Sequence, residues 1–200
     1  MLTRASHAGF NLIEAAVTVS ILGILVATAL PSMTDWMRST RVRGVAEATL
    51  SGLQKARNEA MRRNKIVTFW LVTPRTTTLP GSDCALASDS AAWVVSMDNP
   101  ASHCDTAPSD TVAPRIIEAY GPGEAGAVVA VAARDREGDA ATSVSFNGYG
   151  QAIQTGTPIS DIDIQHAEAA GRRLRIQISS SGGVRVCDID VAATDPRACN

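Results

Sequence analysis

Four groups of side chains in this sequence have types and spacings that could do chemistry. Glu14 is a carboxylate a few residues inside a long apolar run. Cys84, Cys104, Cys187 and Cys199 are thiols. Asp135, Glu137 and Asp139 are closely spaced carboxylates, and so are Asp161 and Asp163. Arg172, Arg173, Arg175 and Arg185 gather cations near the C-terminus. Covalent catalysis needs a nucleophile, a base and an orienting group within reach of one another. The serines lie in polar stretches, and no G-x-S-x-G elbow occurs. His7, His103 and His166 do not visibly pair with a nucleophile. Asp161 and Asp163 alternate with Ile162 and Ile164, which fits a strand with one wet face better than an acid–base pair. Asp135, Glu137 and Asp139 resemble a calcium loop but lack the terminal glutamate and glycine placement of an EF-hand. No phosphate-binding glycine loop is present. The reading is a chain that is not an enzyme and needs no cofactor or metal.

Glu14 is the chemically odd residue. Residues 15–34 carry no charge, about the length that crosses a bilayer as a helix. Val17, Val19, Ile21, Leu22, Ile24, Leu25, Val26 and Leu30 supply apolar surface. Thr18, Ser20 and Thr28 can return their hydroxyls to carbonyls one turn back. A carboxylate at the edge of such a segment is costly unless paired. A secretory signal would end its apolar region at a small-residue cleavage site. Here a short polar leader ends at Gly9, and the apolar run behind it looks retained.

The charge is unevenly spread. Residues 1–37 carry Arg4, Glu14 and Asp35, a net of -1. Residues 38–65 hold eight basic and two acidic side chains, a net of +6. Residues 66–200 hold nine basic and sixteen acidic ones, a net of -7, which completes the total of -2. A basic stem thus joins an apolar anchor to an acidic head, without a global nucleic-acid footprint. Arg4 and His7 keep the leader on the cytoplasmic side by the positive-inside rule. The head then lies across the membrane, where disulfides are permitted, and all four cysteines fall within it. Four cysteines allow three pairings. Cys84 with Cys104, and Cys187 with Cys199, is favoured because each closes a short loop rich in Asp, Ala, Ser and Pro. Zinc is the rival, with spacings too long for a paired-cysteine knuckle and with His103 beside Cys104 a poor ligand geometry.

The elements that must position these groups follow from periodicity. Pro31 cannot donate to a helix ladder and predicts a kink. Val42, Val45, Thr49, Leu53, Ala56 and Ala60 recur at helical spacing, with Arg38, Arg41, Arg43, Lys55, Arg57, Arg62 and Arg63 on the other side. Gly44 and Gly52 weaken this helix and Asn64 is its stop. The β-branched and aromatic stretches 66–72, 92–97, 115–120, 127–132, 142–146, 172–179 and 184–189 read as strands. Polar loops fill 73–91 and 98–114, residues 147–150 form a turn, and Ser180-Ser181-Gly182-Gly183 signals a hairpin. The expected fold is α+β, a long N-terminal helix packed on a mostly antiparallel β-sheet head. The expected boundaries are a leader at 1–9, a transmembrane helix at 10–34, an amphipathic stem at 35–65 and a β-rich head at 66–200.

Gly9-Phe10-Asn11-Leu12-Ile13-Glu14 resembles the processing site of type IV pilins and type II secretion pseudopilins. The resemblance implies cleavage after Gly9 by a prepilin peptidase and N-methylation of Phe10. It implies that Glu14 neutralises the amino terminus of a neighbouring subunit, and that Pro31 is the proline that loosens the pilin helix. Three stretches of the head, Trp93-Val94-Val95 followed by Asp98 and Asn99, Phe146-Asn147-Gly148-Tyr149-Gly150, and Ser181-Gly182-Gly183-Val184-Arg185-Val186-Cys187, narrow the likeness to the GspH/FimT type. Implied is a minor pilin in the bacterial inner membrane, single-pass with a periplasmic head and destined for the pilus. Its implied partners are other pilins, the peptidase and the pilus assembly machinery. The rival within the family is a minor pseudopilin of a type II secretion system.

Some proteins of the FimT type bind double-stranded DNA through a C-terminal Gly-Arg-x-Arg element. The matching positions are Gly182, Gly183, Val184 and Arg185, so glycine stands where the first arginine would be. The DNA reading rests on Arg185 with Arg172, Arg173 and Arg175. If 172–179 is a strand, Arg173 and Arg175 share a face and Arg172 points the other way. Tyr149 is the nearest candidate stacker.

Overall fold

The structure of the protein, a computed structural model, describes residues 11–73, 79–168 and 171–199, and leaves the side chains of 26–32 undescribed. Two compact units divide at residue 37. Helix α1 (Leu12–Arg63) supplies the secondary structure described in the first unit and opens the second. In the first unit Leu12, Ile13, Val17, Val19, Ile21, Leu22, Ile24 and Leu25 are all exposed. Thr18 Oγ1 donates to the Ala15 carbonyl at 2.9 Å and Ser20 Oγ to the Ala16 carbonyl at 2.7 Å, so these hydroxyls are satisfied within the helix. Among the described residues no helix is long and apolar enough to cross a membrane. The apolar stretch 26–32 and the bend expected at Pro31 lie outside the described side chains.

The second unit is a helix under two antiparallel sheets. Strands β1 (Val67–Val72), β2 (Ala92–Ser96), β3 (Ile116–Tyr120) and β5 (Ser143–Phe146) form one sheet in the order β3-β2-β1-β5. Strands β4 (Val129–Arg134), β6 (Asp161–His166), β7 (Leu174–Ile178) and β8 (Val184–Asp188) form the other in the order β4-β6-β7-β8. A single turn of helix, α2 (Ala125–Val128), precedes β4, which therefore begins two residues later than the composition of 127–132 suggests.

The stripe read from the helix is the stripe that is buried. Val42, Val45, Leu53, Ala56 and Ala60 share one core with Phe69, Leu71, Trp93 and Phe146 of the first sheet and with Ile162, Ile164 and Ile176 of the second. Thr49 belongs to the stripe because its Oγ1 donates to the Val45 carbonyl at 2.9 Å, leaving a methyl to pack. Asn64 stops the helix in the left-handed conformation, φ 48°, where asparagine is tolerated. The Lys65 N–H then reaches the Ala60 carbonyl at 3.2 Å, satisfying a helix-end acceptor.

The two sheets differ on their outer faces. The first is covered by its own long loops. Val72, Ala92, Val94 and Ile116 pack there with Cys84 and Cys104 in a second apolar cluster. Every residue of β2 is consequently buried. The outer face of the second sheet is polar and open, and β6 and β7 alternate buried with half-buried residues.

Gly52 and Gly44 play opposite parts. A Cβ on Gly52 would lie 2.8 Å from the Trp93 ring and 2.9 Å from Phe69. Trp93 is wedged there, 5.6 Å from Phe69 and stacked at 5.3 Å on Tyr120. Gly52 is therefore a contact point, not merely the weak helical residue expected from propensity. A Cβ on Gly44 would meet nothing within 4 Å. Gly44→Ala should stabilise the protein by about 0.5–1 kcal/mol through helix propensity. Gly52→Ala should destabilise it by about 1–3 kcal/mol through overpacking, despite the same gain in propensity. Denaturant titration of the full chain in detergent, followed by tryptophan fluorescence, reads both signs.

Candidate functional site

The only cation cluster singled out in the sequence of the head lies on β7, β8 and the segments flanking them. The register β6–β7–β8 decides what its arginines can do. Asp163 stands opposite Arg175, which stands opposite Cys187. All three side chains face outward, because Ile162, Ile164, Leu174, Ile176 and Ile178 take the inner face. Arg175 grips Asp163 with two hydrogen bonds, Nε to Oδ1 at 2.5 Å and Nη2 to Oδ2 at 2.9 Å. The Asp163 carboxylate accordingly raises the Arg175 pKa.

Strand β7 begins at Leu174, so Arg172 and Arg173 precede it rather than alternating along it as the range 172–179 implies. Each finds a carboxylate at the end of β8 or just beyond it. Arg172 Nε donates to Asp188 Oδ2 at 2.5 Å, and Asp188 is buried. Arg173 donates to Asp190 Oδ1 through Nε at 2.8 Å and also through Nη2. The Arg173 backbone N–H donates to Asp190 Oδ2 at 3.0 Å. Those hydrogen bonds hold the Asp190 carboxyl below its ordinary value. Arg185 donates through Nε and Nη2 to Gln177 Oε1, at 3.0 and 2.6 Å. Three of the four arginines are thus matched one to one by aspartates. Acidity spread over the sequence of the head hid this, since the partners lie 12 to 17 residues away and meet only through strand register.

Both cysteine pairs are disulfides, Cys84–Cys104 with Cα atoms 6.1 Å apart and Cys187–Cys199 with Cα atoms 5.0 Å apart. No thiol remains for zinc. Cys187–Cys199 lays the C-terminal tail beside the end of β8, where Asp188 bridges Ala198 and the Asp188 N–H donates to the Arg197 carbonyl at 2.8 Å. The acidic turn at 135–139 is held locally, with buried Asp135 accepting the Asp139 N–H at 2.8 Å. Among the described residues no cluster of three metal-ligating side chains occurs.

Two glycine motifs interlock above the helix end. Gly150 (φ 74°) offers its carbonyl to Arg57 Nε at 3.0 Å. A Cβ on Gly182 (φ 80°) would overlap that same carbonyl oxygen, so no larger side chain fits. The neighbouring Gly183 takes no positive φ, and a Cβ there would sit 3.0 Å from Ser179 Oγ. Tyr149, at the tip of this turn, is 84% exposed. Glu14 lies in the first turn of α1. Gly9 and Phe10 lie outside the described residues, as does the side chain of Pro31.

A helix carrying a head of two antiparallel sheets is the architecture of a pilin-like structural subunit. Residues 45–182 match the model of the family described as type II transport protein GspH, and the chain belongs to that family. Its members are structural subunits that are membrane-anchored or pilus-associated. Two crystal forms of the type IV minor pilin FimU of Pseudomonas aeruginosa resemble the chain at 11% and 13% identity, with TM-scores of 0.43 and 0.44. They cover 79% and 80% of this chain and 99% and 96% of theirs. No curated protein matches.

The ion pairs give the head an acid limit. Hydrogen bonds from Arg62 lower Glu59, those from Arg115 lower Asp98, those from Arg173 lower Asp190, and those from Arg197 bring Asp195 to about 2. Carboxyls lowered on folding contribute stability above their unfolded values and lose it as the pH falls through the folded ones. Thermal melts of the full chain should therefore be flat from neutrality to about pH 5 and fall steadily below about pH 4. Added salt should shrink the part of the drop that comes from the more exposed pairs, Arg173–Asp190 and Arg197–Asp195.

Proposed function

We propose that the chain is a minor type IV pilin, an inner-membrane structural subunit whose head is periplasmic and which takes part in assembling or initiating a pilus. The observation that carries this reading is the N-terminal part of α1. Its apolar side chains are exposed, its hydroxyls are folded back onto the helix, and Glu14 is its first-turn acid. Such a surface needs lipid or other apolar helices around it. In lipid Glu14 needs a cation, and the amino terminus of a neighbouring subunit supplies one after cleavage at Gly9. Cleavage makes Phe10 the N-terminal residue, to be methylated there, and Pro31 loosens the helix for packing in the filament. The partners are other pilins, the prepilin peptidase and the assembly machinery.

Intact-mass analysis of the protein from its native membrane should give the chain from Phe10 onward with one added methyl group. Glu14→Leu should insert normally yet enter filaments about a hundredfold less. That ratio corresponds to about 3 kcal/mol for an amino terminus left unpaired in lipid. A retained leader, or full incorporation of Glu14→Leu, would sink the reading.

The family description favours one rival, a minor pseudopilin of a type II secretion system. A deletion strain scored for pili, for secretion and for DNA uptake separates the two. Duplex DNA as a ligand is the weaker alternative. Its cations Arg172, Arg173 and Arg175 are engaged by Asp188, Asp190 and Asp163, in a head of net charge -7. Phosphate binding scales with the number of cations offered and drops steeply with salt. Titration of the full chain in detergent with labelled duplex should give no measurable binding at moderate salt. Binding that survives moderate salt and is lost in Arg185→Ala would restore the DNA-receptor role.

A further inference from the structure

The second sheet ends on an edge that is only half closed. The β7–β8 ladder pairs Gln177 with Arg185 and Arg175 with Cys187, while the turn above them bonds Ser179 N–H to the Gly183 carbonyl. In an antiparallel ladder the hydrogen-bonded pairs alternate with pairs whose N–H and C=O point away. The continuation of the ladder, Ile189 N–H to the Arg173 carbonyl, fixes the phase. The outward-pointing positions of β8 are therefore Val184, Val186 and Asp188. The stapled C-terminal tail takes Asp188. Among the described residues nothing bonds the backbone of Val186, and its side chain, beside the buried Ile176, is 36% exposed.

The side chains next to this edge have a definite pattern. Val186 and Val184 face the core side, and Arg185 faces outward. Arg185 also lines a cleft of about 520 Å3 on the outer face, with Arg136, Ser160, Asp161, Gln177 and Ser179. Its floor is the cross-strand row Asp161–Gln177–Arg185. Asp161 accepts the Ser160 hydroxyl at 2.8 Å, and Arg136 and Arg185 line the cleft beside it. Arg185 thus sets a cation directly beside the open edge.

We propose that the Val184–Val186 edge of β8 accepts an extended segment of a partner protein by strand addition, the segment alternating apolar and acidic residues. Main-chain hydrogen bonds to Val186 hold it in line with the tail. An apolar side chain packs on Val186 on the core side. The next side chain, a carboxylate on the outer side, meets Arg185 and extends the polar row by one. Strand addition fits these observations better than a nucleic acid does. No aromatic side chain lines the cleft, and most cations nearby are already matched by aspartates.

An arginine beside an open edge can also serve to repel unwanted strands, and the two roles predict opposite signs. The probe is the fluorescein-labelled hexapeptide Ser-Glu-Val-Glu-Val-Ser, titrated by anisotropy with the full chain in detergent micelles. It should bind, and a lysine-for-glutamate version should bind at least about fivefold more weakly, as should the parent peptide on Arg185→Ala. A peptide N-methylated on the amides of its two valines or of its two glutamates, whichever set faces β8, should lose about tenfold. This arm leaves the protein untouched and so is free of any folding defect. Val186→Pro, tolerable because only an outward N–H is lost, should do the same. Unlabelled duplex DNA should not compete. The proposal is overturned by absent binding, by indifference to both N-methylation patterns, by competition from duplex, or by tighter binding in Arg185→Ala.

Discussion

The head depends on one constraint, that a single stripe of α1 must be buried by two sheets at once. Val42, Val45, Leu53, Ala56 and Ala60 are small or branched, and the stripe narrows to alanine toward the C-terminal end. Small residues let both sheets approach the helix axis. At Gly52 the space a Cβ would need is taken by the largest side chain of the core, Trp93. The aromatic cluster of Phe69, Trp93 and Tyr120, one residue from each, then ties β1, β2 and β3 together.

Much of this was legible in the chain. The helical stripe, the asparagine stop, the β-branched strands and the two short cysteine loops are local patterns, and local patterns survive folding. Asp161–Ile162–Asp163–Ile164 betrayed a strand with one wet face by simple alternation. What the chain concealed was relational. Arg172, Arg173 and Arg175 read as a basic patch because proximity in sequence is visible and register is not. Only the pairing of β7 with β6 and with β8, and the chain just beyond β8, set each beside its aspartate. Gly52 was misjudged for a related reason, since propensity is a property of the helix alone and Trp93 arrives from another element.

The glycine motifs show the same division. Phe146-Asn147-Gly148-Tyr149-Gly150 and Ser181-Gly182-Gly183 are far apart in sequence, yet Gly182 lies against the Gly150 carbonyl and Arg57 binds that carbonyl from the helix. A Cβ on Gly148 would strike Asn64, the helix stop. The likeness of these stretches to one another's context has a steric cause. They are the points where the helix end, β5 and the β7–β8 hairpin touch through backbone, and backbone contact leaves room only for glycine.

The two sheets also solve the problem of their exposed surfaces differently. The first covers its outer face with loops tied by Cys84–Cys104, so that loops of polar composition become a lid over Val94 and Ile116. The second leaves its outer face to solvent and neutralises it instead, pairing Asp163 with Arg175 across strands. A neutralised polar face needs no cover. A half-open edge does, because unpaired N–H and C=O groups remain ready to bond. Among the described residues the Cys187–Cys199 tail closes that edge as far as Asp188. Charge has been spent on the face, a disulfide on one half of the edge, and the other half keeps its bonding capacity beside Arg185. Among the described residues that is the part of the head whose backbone bonding is left unfinished.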